Sequence, residues 1–219
     1  MKQVGKFWLP DEDTYFKPFL EESEGFELGH LEMVLNYVTK FNVAVDGGAH
    51  VGSWSRYMAK RFKNVFAFEP NPETYACLSQ NTEKLLNVVP MQAALGHQDG
   101  SMVVTKDTRR AGNTGSYFVQ QAALKDTESL RSIVIPLDKL QLKELDLLKL
   151  DVEGYEWYAL QGAEKTILTC RPTIMIERKN FPGRYYATEK DAHEYLLSLG
   201  YVARENFRND WVYTTCLEY

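Results

Sequence analysis

Asp46-Gly47-Gly48-Ala49-His50-Val51-Gly52 follows the short apolar run Asn42-Val43-Ala44-Val45. Glycines let backbone amides approach a ligand and point at it from a helix start. A second apolar run, Val65-Phe66-Ala67-Phe68, ends in Glu69, 23 residues beyond Asp46. A carboxylate there can accept hydrogen bonds from both hydroxyls of a ribose. Together the two motifs describe a nucleoside site. More acids end two further apolar runs: Asp151 and Glu153 after Leu147-Leu148-Lys149-Leu150, and Glu177 after Thr173-Ile174-Met175-Ile176. Alternation along a strand sends Asp151 and Glu153 to the same side. Any of the three can act as a base toward a hydroxyl, which is a poor nucleophile while protonated. As a set they can hold a magnesium-type cation, which prefers oxygen ligands, although that use is not favoured. The structural alternative is that Glu153 and Glu177 cap helices or pair with Arg171 or Arg178.

The nucleoside is narrowed by Asp46. Gly47-x-Ala49-x-x-Gly52 also fits a dinucleotide fingerprint. A fixed carboxylate at the strand end, however, repels a pyrophosphate at short range. It suits a ligand with an ammonium group, and S-adenosylmethionine carries one. That molecule also has a carboxylate for the loop amides and a ribose for Glu69. His50 either lines this donor loop or helps at the acceptor. The competing reading is an NAD-dependent oxidoreductase or epimerase. It needs Tyr-x-x-x-Lys after the fourth strand, and Tyr155 and Tyr158 are followed at that spacing by Ala159 and Gly162. A third reading is a non-catalytic binder on the same fold.

These residues need a scaffold, and the chain is long enough to build one. It has 219 residues, 44% hydrophobic, with a formal net charge of −5. That balance argues against a nucleic-acid partner at the level of whole-chain charge. No run approaches a membrane span, and the first residues lack the pattern of a secretory signal. Cys77, Cys170 and Cys216 form neither a disulfide framework nor a zinc pattern, which suggests a cytoplasmic protein. Strands are expected at 42–45, 65–68, 88–95, 147–150, 173–176, 201–206 and 211–215, with the last two joined as a hairpin through Arg208-Asn209-Asp210. Pro90 demotes the third to a sheet edge. Helices are expected over 53–62, from Pro72 with Asn71 as cap and Leu78, Leu85 and Leu86 on one face, over 156–168, and from a Thr188 cap to Gly200. Strands alternating with helices imply a mostly parallel α/β sheet covered on both faces. Two segments stand outside the alternation: an aromatic-rich N-terminus over residues 1–40 and a polar insert over about 96–135, with short strand-like runs at Met102-Val103-Val104 and Ile133-Val134-Ile135. Either can cover the site or simply pack. Residues 41–219 form the main domain.

In combination the motifs are specific. The 46–52 loop, Phe68-Glu69-Pro70-Asn71-Pro72, Leu147 through Gly154, Leu160-Gln161-Gly162-Ala163 and Arg171-Pro172 resemble the FkbM family of methyltransferases. The likeness runs from about residue 43 to about residue 178. It implies a class I, Rossmann-like fold with a seven-stranded sheet of order 3-2-1-4-5-7-6, the last inserted strand antiparallel. It also implies methyl transfer from S-adenosylmethionine to a hydroxyl on a sugar, glycan or other small molecule. By position, Asp46, Gly47, Gly48, Ala49, His50 and Gly52 form the donor loop. Glu69, with Pro70 and Asn71, holds the ribose, and Asp151 lies beside the reacting centre. Gln92, Ala93 and Ala94 flank the adenine. In the insert, Asn113, Ser116 and Tyr117 are candidates for binding acceptor hydroxyls, and the Arg109-Arg110 pair for attracting an anionic group.

Overall fold

A computed structural model describes residues 1–21, 25–107, 110, 112–120, 129–179 and 189–215. Four apolar runs become parallel strands: β3 (Val43–Gly47), β4 (Asn64–Phe68), β10 (Leu147–Leu150) and β11 (Thr173–Glu177). β5 (Val88–Met91) joins them beside β4, and the closing hairpin adds β12 (Tyr201–Phe207) and β13 (Asp210–Thr215). The seven-stranded order is β12-β13-β11-β10-β3-β4-β5. β13 runs antiparallel between β11 and β12, so the expected order and the reversed strand are both present.

Alternation sorts the side chains of the central strands onto two faces. Val45, Leu148, Leu150, Ile174 and Ile176 join one buried apolar cluster. Ala44, Leu147, Met175 and Val212 join the other, beneath Leu31, Val34, Trp54 and Met58. These last four come from α2 (Leu28–Leu35) and α3 (Ser53–Met58). By the same parity, Asp46, Lys149, Glu177 and Asp210 belong to the second face. Cross-strand register pairs Lys149 with Asp46 and Glu177 with Asp210.

The single third strand expected over 88–95 is two strands. β5 stays at the sheet edge, where Pro90 stands opposite Ala67. After Gln92 the chain leaves the sheet as β6 (Ala93–Leu95). β6 pairs with β9 (Ser129–Ile135), and β9 with β7 (Gly100–Lys106), which in turn pairs with β8 (Tyr117–Gln120). The polar insert is therefore a small second sheet of order β6-β9-β7-β8. The strand-like runs Met102-Val103-Val104 and Ile133-Val134-Ile135 lie in β7 and β9, while their pairing into a sheet was not legible.

Helix ends also differ from expectation. α3 stops at Met58. α4 (Pro72–Thr82) is capped by Asn71, whose side chain accepts from Glu73 N, but it ends before Leu86, which is 99% exposed. The helix expected over 156–168 breaks into α5 (Glu156–Gln161) and α6 (Glu164–Cys170). Gly162 at the break lies so close to the insert that a Cβ there would stand 1.9 Å from Gly96 O. Asp138 restarts the helix by accepting from Lys165 N, Thr166 N and Thr166 Oγ1. The Thr188 cap lies outside the described residues. α7 (Glu189–Ser198) does bury Ala192 and Leu196, as the periodicity requires.

The N-terminal segment folds onto the domain. β1 (Lys2–Val4) and β2 (Phe7–Leu9) form a hairpin, followed by α1 (Lys17–Leu20). Val4, Phe7, Leu9 and Leu20 cluster with Val51 and Cys77. Asn81 bonds both the amide and the carbonyl of Trp8. Among the described residues, no helix is long and apolar enough to cross a membrane.

Gly162→Ala should cost about 1–3 kcal/mol through overpacking. In a thermal melt this lowers Tm by about 2–12 °C for a chain of this size. An unchanged Tm would show that the insert yields freely at this contact.

Candidate active site

The carboxyl ends of β3, β4, β10 and β11 open into a cavity of about 610 Å³. Its base is anchored by a buried charge pair. Asp46 is fully buried and Lys149 nearly so, with Lys149 Nζ 3.0 Å from Asp46 Oδ1. Lys149 also donates to Gly48 O at 2.7 Å, and Ser55 Oγ donates to Asp46 Oδ2 at 2.6 Å. Burial works against the ammonium, yet Asp46 and Asp151 outweigh it and hold the Lys149 pKa above its ordinary value. Lys149 lines the cavity; Asp46 does not. The acid expected to meet a ligand ammonium thus sits behind a lysine.

The donor loop is held mainly by hydrogen bonds to the end of β4. Gly48 N and Ala49 N both donate to Phe68 O, and Gly52 N donates to Ala49 O. Those amides, expected to meet a ligand carboxylate, already have partners. Gly48, with φ +76°, approaches β10 so closely that a Cβ would stand 1.8 Å from Asp151 O. Glu69 accepts from His50 N at 2.9 Å, Asn71 N at 3.0 Å and Thr74 Oγ1 at 2.8 Å. Burial raises its pKa, and these bonds counteract that rise. The carboxylate is consequently fixed in place on the cavity wall.

His50 adopts φ +51°. Its Nε2 lies 2.8 Å from Thr114 Oγ1, and the Thr114 hydroxyl bonds the buried Asp13. An ionised carboxylate only accepts, so Thr114 donates to Asp13 and receives the proton of His50 Nε2. Burial pushes the His50 pKa down to about 4, which keeps the ring neutral. His50 therefore ties the donor loop to the insert and to the N-terminal segment.

Asp151, Glu153 and Glu177 bring carboxylate oxygens within 4.8 Å of one another. A cation is already supplied there by the protein. Lys179 Nζ bonds Glu177 Oε1 and lies 3.7 Å from Glu153 Oε1, with Arg110 3.9 Å from the same oxygen. Glu177 Oε2 is buried and meets no N–H or O–H donor. It faces Asp151 instead, and two carboxyls in contact share a proton. Burial and the Asp151 charge push Glu177 up to about 10. Burial alone would raise Asp151 too, but Lys149, Lys179 and the Glu177 hydrogen bond pull it below its ordinary value. The two neighbouring acids are thus shifted in opposite directions, Glu177 up and Asp151 down.

The expected residues divide as follows. Gly48, Ala49, His50, Glu69, Pro70, Ala93, Ala94, Asp151, Glu153 and Glu177 all reach the cavity wall, as do Asn113 and Tyr117 from the insert. Gly47, Gly52, Asn71 and Gln92 lie off it, in supporting positions. Ser116 is fully buried and turned away, its hydroxyl donating to Asn113 O. Arg109 falls outside the described residues. Several wall residues were not anticipated: Lys149, Lys179, Phe26, His30 and Asp210; Phe16 reaches the wall from the aromatic N-terminus. Lys149 had a legible signal, since a charge inside an apolar strand must be paired. The N-terminal segment was legible only as one that covers the site or packs, because the folding-back of the chain decides which of its residues arrive here.

The family model for the methyltransferase FkbM domain matches residues 46–203. Methyltransferase 1 of Beauveria bassiana (strain ARSEF 2860) is 27% identical over 191 residues, covering 76% of this chain and 74% of that protein. Hexuronic acid methyltransferase AglP of Haloferax volcanii is 26% identical over 139 residues, covering 60% of this chain and 54% of its own length. The chain thus matches only about half of that relative. Among solved structures, methyltransferase FkbM from Methylobacillus flagellatus KT aligns with a TM-score of 0.53 at 18% identity, over 80% of this chain and 43% of that one. That likeness is one of fold, the class I methyltransferase sheet.

Two measurements probe the base of the site. Lys149→Met leaves Asp46 buried without its ion-pair partner and should cost about 3–5 kcal/mol in denaturant unfolding. Adding Asp46→Asn should recover much of that loss; two additive losses would show that the pair is not coupled. Glu156 accepts from Val152 N and Gly154 N, and burial pushes its pKa up to about 7. Its folded pKa exceeds the ordinary 4.5, so the folded chain binds more protons between those values. The stability it contributes is full below pH 4.5 and is lost as pH rises through 7. Glu156→Gln keeps the acceptor oxygen, so its stability should fall less than the wild type's across that window.

Proposed function

The chain belongs to the FkbM family of S-adenosylmethionine-dependent methyltransferases, and from that premise we propose that it methylates a hydroxyl oxygen of a sugar, glycan or similar small molecule. The observation that carries this reading is one continuous cavity with a fixed carboxylate, Glu69, at one end and a charge-balanced acid cluster at the strand ends beyond it. Its volume of about 610 Å³ suits a cofactor with a small acceptor beside it. Bound there, S-adenosylmethionine supplies a methyl group on a sulfonium, open to in-line displacement by an oxygen.

The chain's residues do the rest by holding and shielding. Glu69 takes the ribose hydroxyls, while Pro70, Ala93 and Ala94 leave space for a flat base. Asp151 stays ionised on the wall and faces the donor's positive charge, a role that Asp46, behind Lys149, performs only as a positioning residue. Glu177 bonds Lys179 and faces Asp151 rather than standing free as a base. Glu153 holds Lys179 and Arg110 at the rim. Phe16 and Phe26, packed edge to face at 4.9 Å, roof the cavity beside Tyr15 and exclude water. Aromatic rings at that position also suit the faces of a sugar. Asn113 and Tyr117 offer polar groups to its hydroxyls. The hexuronic acid in the Haloferax relative's name supports an acidic sugar.

Calorimetry with S-adenosylhomocysteine, S-adenosylmethionine and NAD tests the donor; binding is expected for the first two only. Glu69→Gln should weaken it about 10–100-fold, as loss of hydrogen bonds to a charged group implies. Labelled methyl transfer to D-glucuronate and D-glucose tests the acceptor. Label appearing on nitrogen or carbon acceptors and never on sugar oxygen would end the O-methyl reading.

A further inference from the structure

The acids at the strand ends are poorly suited to remove a proton. Glu177 and Glu153 are ion-paired with Lys179, and against burial Lys149 and Lys179 draw the Asp151 pKa below its ordinary value, which weakens it as a base. A hydroxyl acceptor still needs a base. The same cavity wall holds one that no strand-end motif supplies.

His30 lies on α2, outside the family-matched region of 46–203. α2 covers the sheet face that carries Lys149, Glu177 and Asp210. His30 Nδ1 is 2.9 Å from Asp210 Oδ2, a buried contact between residues 180 positions apart. Asp210 stands directly opposite Glu177 across the β11–β13 ladder, and Glu177 faces Asp151. The dyad therefore sits two strands from Asp151, on the side away from Glu69. A carboxylate at Nδ1 fixes the tautomer with Nδ1–H and leaves Nε2 as the basic nitrogen. Nε2 has no hydrogen-bond partner among the described residues, on a ring that lines the cavity. The ring is braced by Phe207 at 4.1 Å between centroids. The backbone is strained just before it: Glu27, the helix N-cap, has φ +54°, a cost that persists when the surroundings enforce it.

We propose that His30 is the general base of the methyl transfer and that Asp210 is its positioning residue. This rests on the O-methyltransferase reading above. The acceptor O–H proton passes to His30 Nε2. The freed oxygen lone pair forms the O–CH3 bond as the C–S bond of the sulfonium donor breaks, its electrons returning to sulfur. The positive charge lost from sulfur reappears on the imidazolium, where Asp210 and Glu27, 3.8 Å from Nδ1, stabilise it. Other charges facing the dyad are Arg208, 3.7 Å from Glu27, and Asp151 and Lys149, whose fields reach Asp210. Burial and the Asp151 charge raise the Asp210 pKa, opposed by the His30 bond.

The test uses the full chain with His30→Gln and Asp210→Asn. Three readouts are combined: S-adenosylhomocysteine affinity by calorimetry, labelled methyl transfer to D-glucuronate, and the His30 ring by 15N NMR. Both variants should bind S-adenosylhomocysteine within about twofold of wild type and melt as folded proteins. His30→Gln should lower kcat by roughly 10²–10⁴-fold with little change in KM, and should abolish the acidic limb of the pH–rate profile. In the wild type, NMR should show the Nδ1–H tautomer at neutral pH, lost in Asp210→Asn. An undiminished kcat, a persisting acidic limb, or an Nε2–H tautomer in the wild type overturns the proposal, the last even without turnover. Activity lost to a chelator and restored by a divalent ion would assign Glu27, His30 and Asp210 to a metal instead, and also overturns it. Failure of the wild type to bind S-adenosylhomocysteine sinks the methyltransferase reading itself.

Discussion

A lysine in the middle of a buried parallel sheet is a constraint that the surrounding structure must answer. Lys149 is flanked in sequence by leucines and in space by β3 and β11. Its ammonium is compensated by Asp46 on the adjacent strand, by Gly48 O, and by the Trp54 ring 5.7 Å away. Removing a charge from water costs several kcal/mol unless its partners are well placed. The pair therefore fixes the end of β3 against the end of β10, where the glycine loop turns and Asp151 begins. Gly48 has to be glycine for the same reason: the loop bends back over that junction with no room for a Cβ.

The electrostatics of the site follow from this junction. Lys149 beneath and Lys179 beside Asp151 draw its pKa down against burial, while burial and the Asp151 charge push that of Glu177 up. Neighbouring carboxyls are stable when fixed ammonium groups balance them. Methyl transfer from a sulfonium cancels charge at the reacting atoms, so such a site needs orientation and exclusion of water more than strong polarisation. The aromatic side chains of Tyr15, Phe16 and Phe26 and the hydrogen-bonded walls suit that need.

The cavity is also a joint between segments distant in sequence. His50–Thr114–Asp13 links the donor loop, the insert and the N-terminal segment in one buried chain. His30–Asp210 links the N-terminal segment to the closing hairpin. Neither link lies wholly within a single motif, and each has one partner from the first 30 residues. The cavity wall is thus built both by the family-matched core and by the segments that flank it.

Local rules determined the main strands, the glycine loop, the Asn71 cap, the edge position of Pro90 and the acids at the strand ends, because each depends on residues close together in sequence. The sheet order came with the family resemblance. Tertiary structure alone decided which acids face the cavity. Asp46 and Asp151 look equivalent as strand-end carboxylates, but a cross-strand lysine withdraws the first and leaves the second on the wall. It also turned a polar insert into a sheet and split one helix at Gly162, where another backbone passes within contact. The meeting of His30 with Asp210 spans 180 residues. No periodicity or spacing encodes such a contact; it exists only because α2 covers the face of the sheet on which the reversed strand begins.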